Sequence, residues 1–184
     1  MINDLVSLVD LDFLNVYSAQ ISILFFLIFL YILTLSKNGY SVKKRRYIKV
    51  ATKKLKRLNE IESFSGKIAF LRIAVNPYVF EEMILTALHR QGHKVIRGQR
   101  YTHDGGVDGK VVIQGKTYFI QAKKYSNYVN PKHISDFISL CGRHGVKGLF
   151  VHCGKTGGMS KSILQNTQVK LVSGDKLIML LSGG

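Results

Sequence analysis

The stretch DGGVDGKVVIQGKTYFIQAKKY, residues 104–125, decides how the chain is read. Val111, Val112 and Ile113 form one short apolar run and Tyr118, Phe119 and Ile120 another, with a Gly115-Lys116 turn between them. Two such runs around a glycine turn predict a β-hairpin. Side chains two apart on a strand share a face, so Gln121 and Lys123 project together while Tyr118, Ile120 and Ala122 face a core. A hairpin that sets Asp108 beside the first face brings a carboxylate, an amide oxygen and an ammonium together. A metal ion and a phosphate can use all three. The same spacing also fits a solvated hairpin whose polar residues do nothing.

Upstream, Asn76-Pro77 has the form of a helix start, with Asn as cap and Pro in the first turn. Val79, Phe80, Met83, Ile84, Ala87 and Leu88 then recur at helical spacing, and Gly92 ends the run. At 100° per residue Glu81 falls at the edge of the apolar arc and Glu82 on the polar side, so Glu81 is expected to border the core. Residues 68–75 are a short apolar connection, helical or extended. Strands are predicted over 94–97, 148–153 and 169–172, and helices over 133–141, 158–166 and 175–181. The order, roughly α-β-β-β-α-β-α-β-α, argues an α/β domain with a mixed central sheet flanked by helices.

The N-terminal third has a different composition. Residues 13–36 carry no charge, and 16–35 are long and apolar enough for a transmembrane helix. Asp4, Asp10 and Asp12 precede it, and neither a basic leader nor a small-residue cleavage site is present, so a retained anchor is expected rather than a signal peptide. Lys37, Lys43, Lys44, Arg45, Arg46 and Lys49 crowd just after it. The positive-inside rule then puts residues 1–15 outside and the bulk of the chain in the cytoplasm. The chain has 27 Lys and Arg against 11 Asp and Glu, a net charge of +16, and twelve of those cations fall in residues 36–75. This segment reads as a basic juxtamembrane helix and linker with a thin stripe of Val50, Leu55 and Leu58. Its charges over 43–57 suit anionic headgroups, with DNA as a second partner. The surplus in residues 76–184 points to a polyanionic partner.

Taken in order, several landmarks resemble the Mrr-like restriction endonuclease family of the PD-(D/E)XK nuclease superfamily. They are Phe80-Glu81 with Ile84 and Leu88, then Gly92; Asp104-Gly105-Gly106-Val107-Asp108-Gly109; Ile120-Gln121-Ala122-Lys123-Lys124-Tyr125; Lys147-Gly148-Leu149-Phe150-Val151; and the closing 174–181 segment. The likeness covers about residues 76–181 and leaves out the apolar span and basic segment. It implies a restriction-endonuclease-like mixed sheet flanked by helices, which the apolar span would precede with one transmembrane helix, and a Mg²⁺-dependent endodeoxyribonuclease of the type IV restriction kind, with Mn²⁺ as a substitute. It also implies residue roles. Asp108 matches the metal-binding aspartate, Gln121 stands where many members have Glu, Lys123 matches the motif lysine, and Glu81 the accessory carboxylate of the first helix. The Gln121 side-chain oxygen and the Ala122 carbonyl would complete the metal ligands. Relatives of this layout imply a single-pass protein of the bacterial inner membrane, in a defence or mobile-element setting.

The chemistry suits these residue types. Phosphodiester hydrolysis needs a cation to offset phosphate charge and lower the pKa of the attacking water, and a lysine can steady the transition state. A neutral Gln121 leaves the site one negative charge short, which keeps an alternative open: a catalytically inactive membrane protein that binds or tethers DNA, serving plasmid transfer or partition. An anchored adaptor that binds no nucleic acid is a third reading. Arg100 and Tyr101 before the hairpin, and Lys124 and Tyr125 after it, are candidates to grip the DNA backbone. Lys155 and Thr156, in a glycine-rich loop after a strand, are candidates to hold a phosphate. A Walker A loop is excluded, because the position that needs glycine is Leu149. Cys141 and Cys153 form no zinc motif. One small domain makes one nick, so cutting both strands would call for a homodimer.

Overall fold

A computed structural model describes residues 17, 18, 20–31, 41–98 and 106–183. The chain divides into two units, Met1–Tyr40 and Ser41–Gly184. In the first, residues 20–31 are helical (α1). The expected span at 16–35 falls partly outside the described residues, and among the described residues no helix is long and apolar enough to cross a membrane.

The second unit runs α2 (Val42–Asn59), α3 (Phe64–Ile73), α4 (Pro77–Arg90), β1 (Lys94–Arg97), β2 (Gly109–Ile113), β3 (Lys116–Lys123), α5 (Pro131–Arg143), β4 (Lys147–His152), α6 (Gly158–Ile163), β5 (Val169–Val172) and α7 (Asp175–Ser182). The undecided connection at 68–75 is largely helical, started by Ser63, whose hydroxyl accepts from Gly66 N–H. The two Asn-Pro starts behave alike. Asn76 Oδ1 accepts from Tyr78 N and Asn130 Oδ1 from Lys132 N, each at 3.0 Å.

The sheet order is β1-β2-β3-β4-β5. The first three strands are antiparallel, and β3-β4 and β4-β5 are parallel. The hairpin turn centres on Gln114 and Gly115, whose φ angles of 50° and 72° are both positive, as a two-residue hairpin turn of this hand requires. The strand alternation divides the core in two. Tyr118, Ile120 and Ala122 join Phe80, Ile84, Leu88 and Leu177 on one face, while Phe119 joins Ile134, Phe137 and Phe150 on the other. Helix α5 lies close on the second face. A Cβ at Gly148 would stand 2.7 Å from both Cys141 Sγ and Phe137, so only glycine fits that approach.

Two sequence expectations change here. Helix α2, with its basic sequence, contributes Ala51, Leu55 and Leu58 to the same core as α4, and α3 adds Leu71. The stripe read as thin is a buried seam, and the compact unit therefore begins at Ser41. Lys43, Arg45, Arg46, Lys49, Lys53, Lys56 and Arg57 remain exposed on that helix. The second change concerns α4. Glu82 is the deeply buried carboxylate, 1% exposed, and Glu81 only partly so. Packing against α2 gives α4 a second buried side, and Glu82 points into it, toward Lys44 and Arg97.

Candidate active site

Asp108 stands just before β2 and is tied to the neighbouring strands by three bonds. Its N–H donates to Ile120 O at 2.8 Å, and its carbonyl accepts from Gly98 N at 3.2 Å. Its Oδ2 accepts from Ala122 N at 2.7 Å. The carboxylate is therefore fixed beside the residue that separates Gln121 from Lys123. Antiparallel pairing of Gly109 with Ile120 sets this register, so the hairpin itself delivers Asp108 to the Gln-Ala-Lys segment.

Glu81 reaches the same place from α4. Its carboxyl is pushed up to about 8, chiefly by burial and next by the negative charge of Asp108, against the opposing pull of the Lys123 ammonium. Smaller effects come from Glu82, which raises it, and Lys44, which lowers it. A carboxyl kept from ionising by burial and by a neighbouring carboxylate's charge marks a site that a cation would relieve.

Gln121 is 8% exposed, and its Oε1 has no hydrogen-bond partner among the described residues. A buried acceptor left unpaired costs about 1–3 kcal/mol. Its amide nitrogen lies against Gly106, where any Cβ would come within 2.7 Å of it, and Gly106 has φ +89°. The positive φ favours glycine there, and Gln121 touches the segment that leads to Asp108. On its other side Gln121 borders a cleft of about 420 Å³ against α5, lined also by Ser139 and Arg143.

Among the described residues no group of three or more His, Cys, Asp and Glu is placed to hold a metal. The donors available along these elements are the Asp108 and Glu81 carboxyls, which feel each other's charge, and the unpaired Gln121 amide oxygen two residues from Lys123. All are oxygen atoms, the type a hard divalent cation prefers when it keeps several waters. Donors of this kind suit a divalent cation such as Mg²⁺. Asp108, the Gln121 side-chain oxygen and the Ala122 carbonyl could hold it, Ala122 being tied to Asp108 through its N–H, with Glu81 beside them.

The other sequence candidates are distributed unevenly. Lys124 and Tyr125 continue past β3, and Lys155 and Thr156 past β4. The two loops are joined by Lys155 N to Asn127 O and Val129 N to Lys155 O, both 2.9 Å. Lys155 is exposed, with its ammonium 5.7 Å from the Tyr128 ring centre. Tyr125 is engaged internally, its hydroxyl 2.5 Å from His133 Nδ1. Thr156 Oγ1 lies 3.3 Å from both His152 Nε2 and Ser173 Oγ. Arg100 and Tyr101 lie outside the described residues.

His152 was not singled out from the sequence, although it closes an apolar strand, and it pairs in register with Lys123. It is fully buried, and its pKa is lowered to about 4, mainly by burial and then by the positive charge of Arg72. The imidazole is neutral in the folded protein. Above pH 6.5 it is neutral in the unfolded chain too and contributes nothing to the pH dependence. Below that, the unfolded chain takes up a proton that the folded one refuses, so stability falls as pH drops from about 6.5 to about 4. The total is about 3 kcal/mol. Urea unfolding at pH 7 and pH 4.5 is expected to show that loss in the wild type and a much smaller one in His152→Asn. Equal slopes in the two proteins would refute the assignment.

A family model described as restriction endonuclease, Mrr_cat, matches residues 73–181. Among solved structures, the chain is similar to the MspJI restriction endonuclease in complex with a 27-mer oligonucleotide. The match has a TM-score of 0.43 and 21% identity, over 55% of this chain and 26% of that one. The chain thus spans about a quarter of that relative's length. No curated protein matches it.

Proposed function

Because the chain belongs to the Mrr_cat restriction endonuclease family, we propose that it is a metal-dependent DNA endonuclease whose site is built from Glu81, Asp108, Gln121 and Lys123. The observation that carries this reading is the bond from Ala122 N to Asp108 Oδ2, which holds the aspartate beside Gln121 and Lys123. A divalent cation bound there would neutralise phosphate charge and lower the pKa of an attacking water. The chain's own residues have separable tasks. Asp108 and Gln121 orient the cation site, and the hairpin prevents them from drifting. Lys123 places a point charge beside the scissile phosphate, where negative charge grows. Glu81 holds a proton near neutral pH and gives it up as positive charge arrives, so metal binding is coupled to proton release. Lys124 and Lys155, at the carboxyl ends of adjacent parallel strands, would hold the DNA backbone on either side.

The reading includes the anchor. Residues 16–35 would cross the bacterial inner membrane once, with the nuclease in the cytoplasm and the exposed cations of α2 against anionic lipid. Cleavage of both strands would require two copies. The deciding experiment incubates the full chain with supercoiled plasmid, methylated and unmethylated, with Mg²⁺, Mn²⁺ or chelator. Nicking that chelator abolishes is expected. Salt-sensitive DNA binding without cleavage under every condition would favour the alternative of a tethering protein.

Gln121 also yields a prediction. Gln121→Glu adds a third carboxyl beside Glu81 and Asp108. Without metal the variant should be less stable than the wild type, since like charges are crowded in a buried place. With metal the order should reverse, and Mn²⁺ affinity should tighten about tenfold, equivalent to ~1.4 kcal/mol. Titration by calorimetry with and without chelator checks both halves. Unchanged affinity would place Gln121 outside the metal's reach.

A further inference from the structure

Lys44 lies outside the family match at 73–181, yet it is 1% exposed. Its ammonium donates to the Gly98 carbonyl and stands 3.7 Å from Glu82 Oε1. Glu82 Oε2 already takes a 3.0 Å bond from Arg97 Nε, and Arg97 also donates to Thr86 Oγ1 at 3.2 Å. Two cations therefore share one carboxylate. Arg97 balances Glu82 at the shorter range, so Lys44 is not needed for neutrality. Burying a further ammonium is costly, and an apolar side chain of its size would often serve stability as well or better.

What Lys44 adds is a grip on one peptide. Gly98 follows the end of β1 and faces Asp108 across the β1-β2 pair. Its carbonyl is held by Lys44, and its N–H donates to Asp108 O at 3.2 Å. Asp108 in turn receives Ala122 N–H on its carboxylate. An unbroken run of bonds thus joins α2 to the Gln-Ala-Lys segment.

We propose that Lys44 is a positioning residue of the nuclease site, a buried ammonium that the basic helix upstream of the family domain inserts to fix Gly98 and, through it, Asp108. The working unit then begins at α2, and the basic helix is part of the site's framework as well as a charged surface. This deepens the nuclease reading and rests on it for the consequence to cleavage.

The test uses the full chain with Lys44→Met and Lys44→Arg. Methionine strands no carboxylate, because Glu82 keeps Arg97, so the variant is expected to fold. Amide exchange should quicken locally, in peptides spanning 98 and 106–109, with α5 and β4 unchanged. Mn²⁺ affinity should fall about 10-fold or more, as for other groups that hold a metal ligand in place. In cleavage, kcat should drop with KM for DNA held within about twofold. Lys44→Arg, which keeps a buried donor, should recover a large part of the Mn²⁺ affinity. Wild-type exchange and affinity in Lys44→Met would overturn the proposal. So would exchange that quickens throughout the unit, or an arginine variant no better than methionine. Exchange and Mn²⁺ binding are read without DNA, so a wild-type chain that cuts nothing would sink the nuclease reading and leave this result separate.

Discussion

Asp108→Asn is expected to lower metal-dependent cleavage by about a thousandfold or more while leaving the fold intact. The substitution is nearly isosteric, and the Asn carbonyl can still accept from Ala122 N, so the hairpin keeps its register. What disappears is the negative charge, and with it the principal attraction for a divalent ion. Removing one preorganised electrostatic partner in a buried site costs about 10²–10³ in kcat, and loss of a ligand's charge should lie at or beyond the upper end. A second readout is independent of DNA. Asp108 is one cause of the raised Glu81 pKa, so the carboxyl of Glu81 should titrate below about 8 in the variant, by NMR without metal. Cleavage within tenfold of wild type, at matched folding, would remove Asp108 from the chemistry.

The parts of this site that were legible in the sequence are those set by local rules. Period-two alternation placed Gln121 and Lys123 on one face and Tyr118, Ile120 and Ala122 on the other, and the core divides that way. Asn76-Pro77 marked a helix start, and the glycine turn marked the hairpin, because each depends on backbone preferences within four residues. Glu82 was misjudged because a helical wheel assumes one buried side, whereas Glu81 does sit at the edge of the core. Helix α4 has a sheet on one side and α2 on the other, and its buried residues run almost without break from Val79 to Leu88. Nothing in residues 77–90 reveals the second neighbour. The same holds for Lys44, whose burial depends on Glu82, Arg97 and Gly98 far along the chain. A cluster of like charges after an apolar span suggests a surface, and for most of α2 that is right. The exception needed a tertiary contact to become visible. His152 was hidden for a related reason, since its neutrality comes from burial at the end of β4 rather than from any motif.

Adjacent glutamates on α4 should respond in opposite ways to removal, and Glu82→Ala carries the second large effect. Glu82, Lys44 and Arg97 have side-chain exposures of 1%, 2% and 10%. Deleting the carboxylate leaves an ammonium and a guanidinium facing each other out of water. Breaking a buried pair by removing one partner typically costs about 3–5 kcal/mol, a large share of the roughly 5–15 kcal/mol that holds a domain folded. Glu82→Ala should therefore lower the urea midpoint steeply, and Glu82→Gln less so, since it keeps the shape and an acceptor for Arg97. Glu81→Ala should do the reverse. A carboxyl whose folded pKa is raised to about 8 weakens the folded state progressively as pH climbs from 4.5 through 8, because the folded protein resists an ionisation that the unfolded chain accepts. Taking that group away should leave stability unchanged at pH 4 and increase it at pH 8, without metal, while cleavage falls. Unfolding curves of both variants at the two pH values separate the structural carboxylate from the functional one. A Glu81 variant that is the less stable of the two at pH 8 would show that the roles have been assigned the wrong way round.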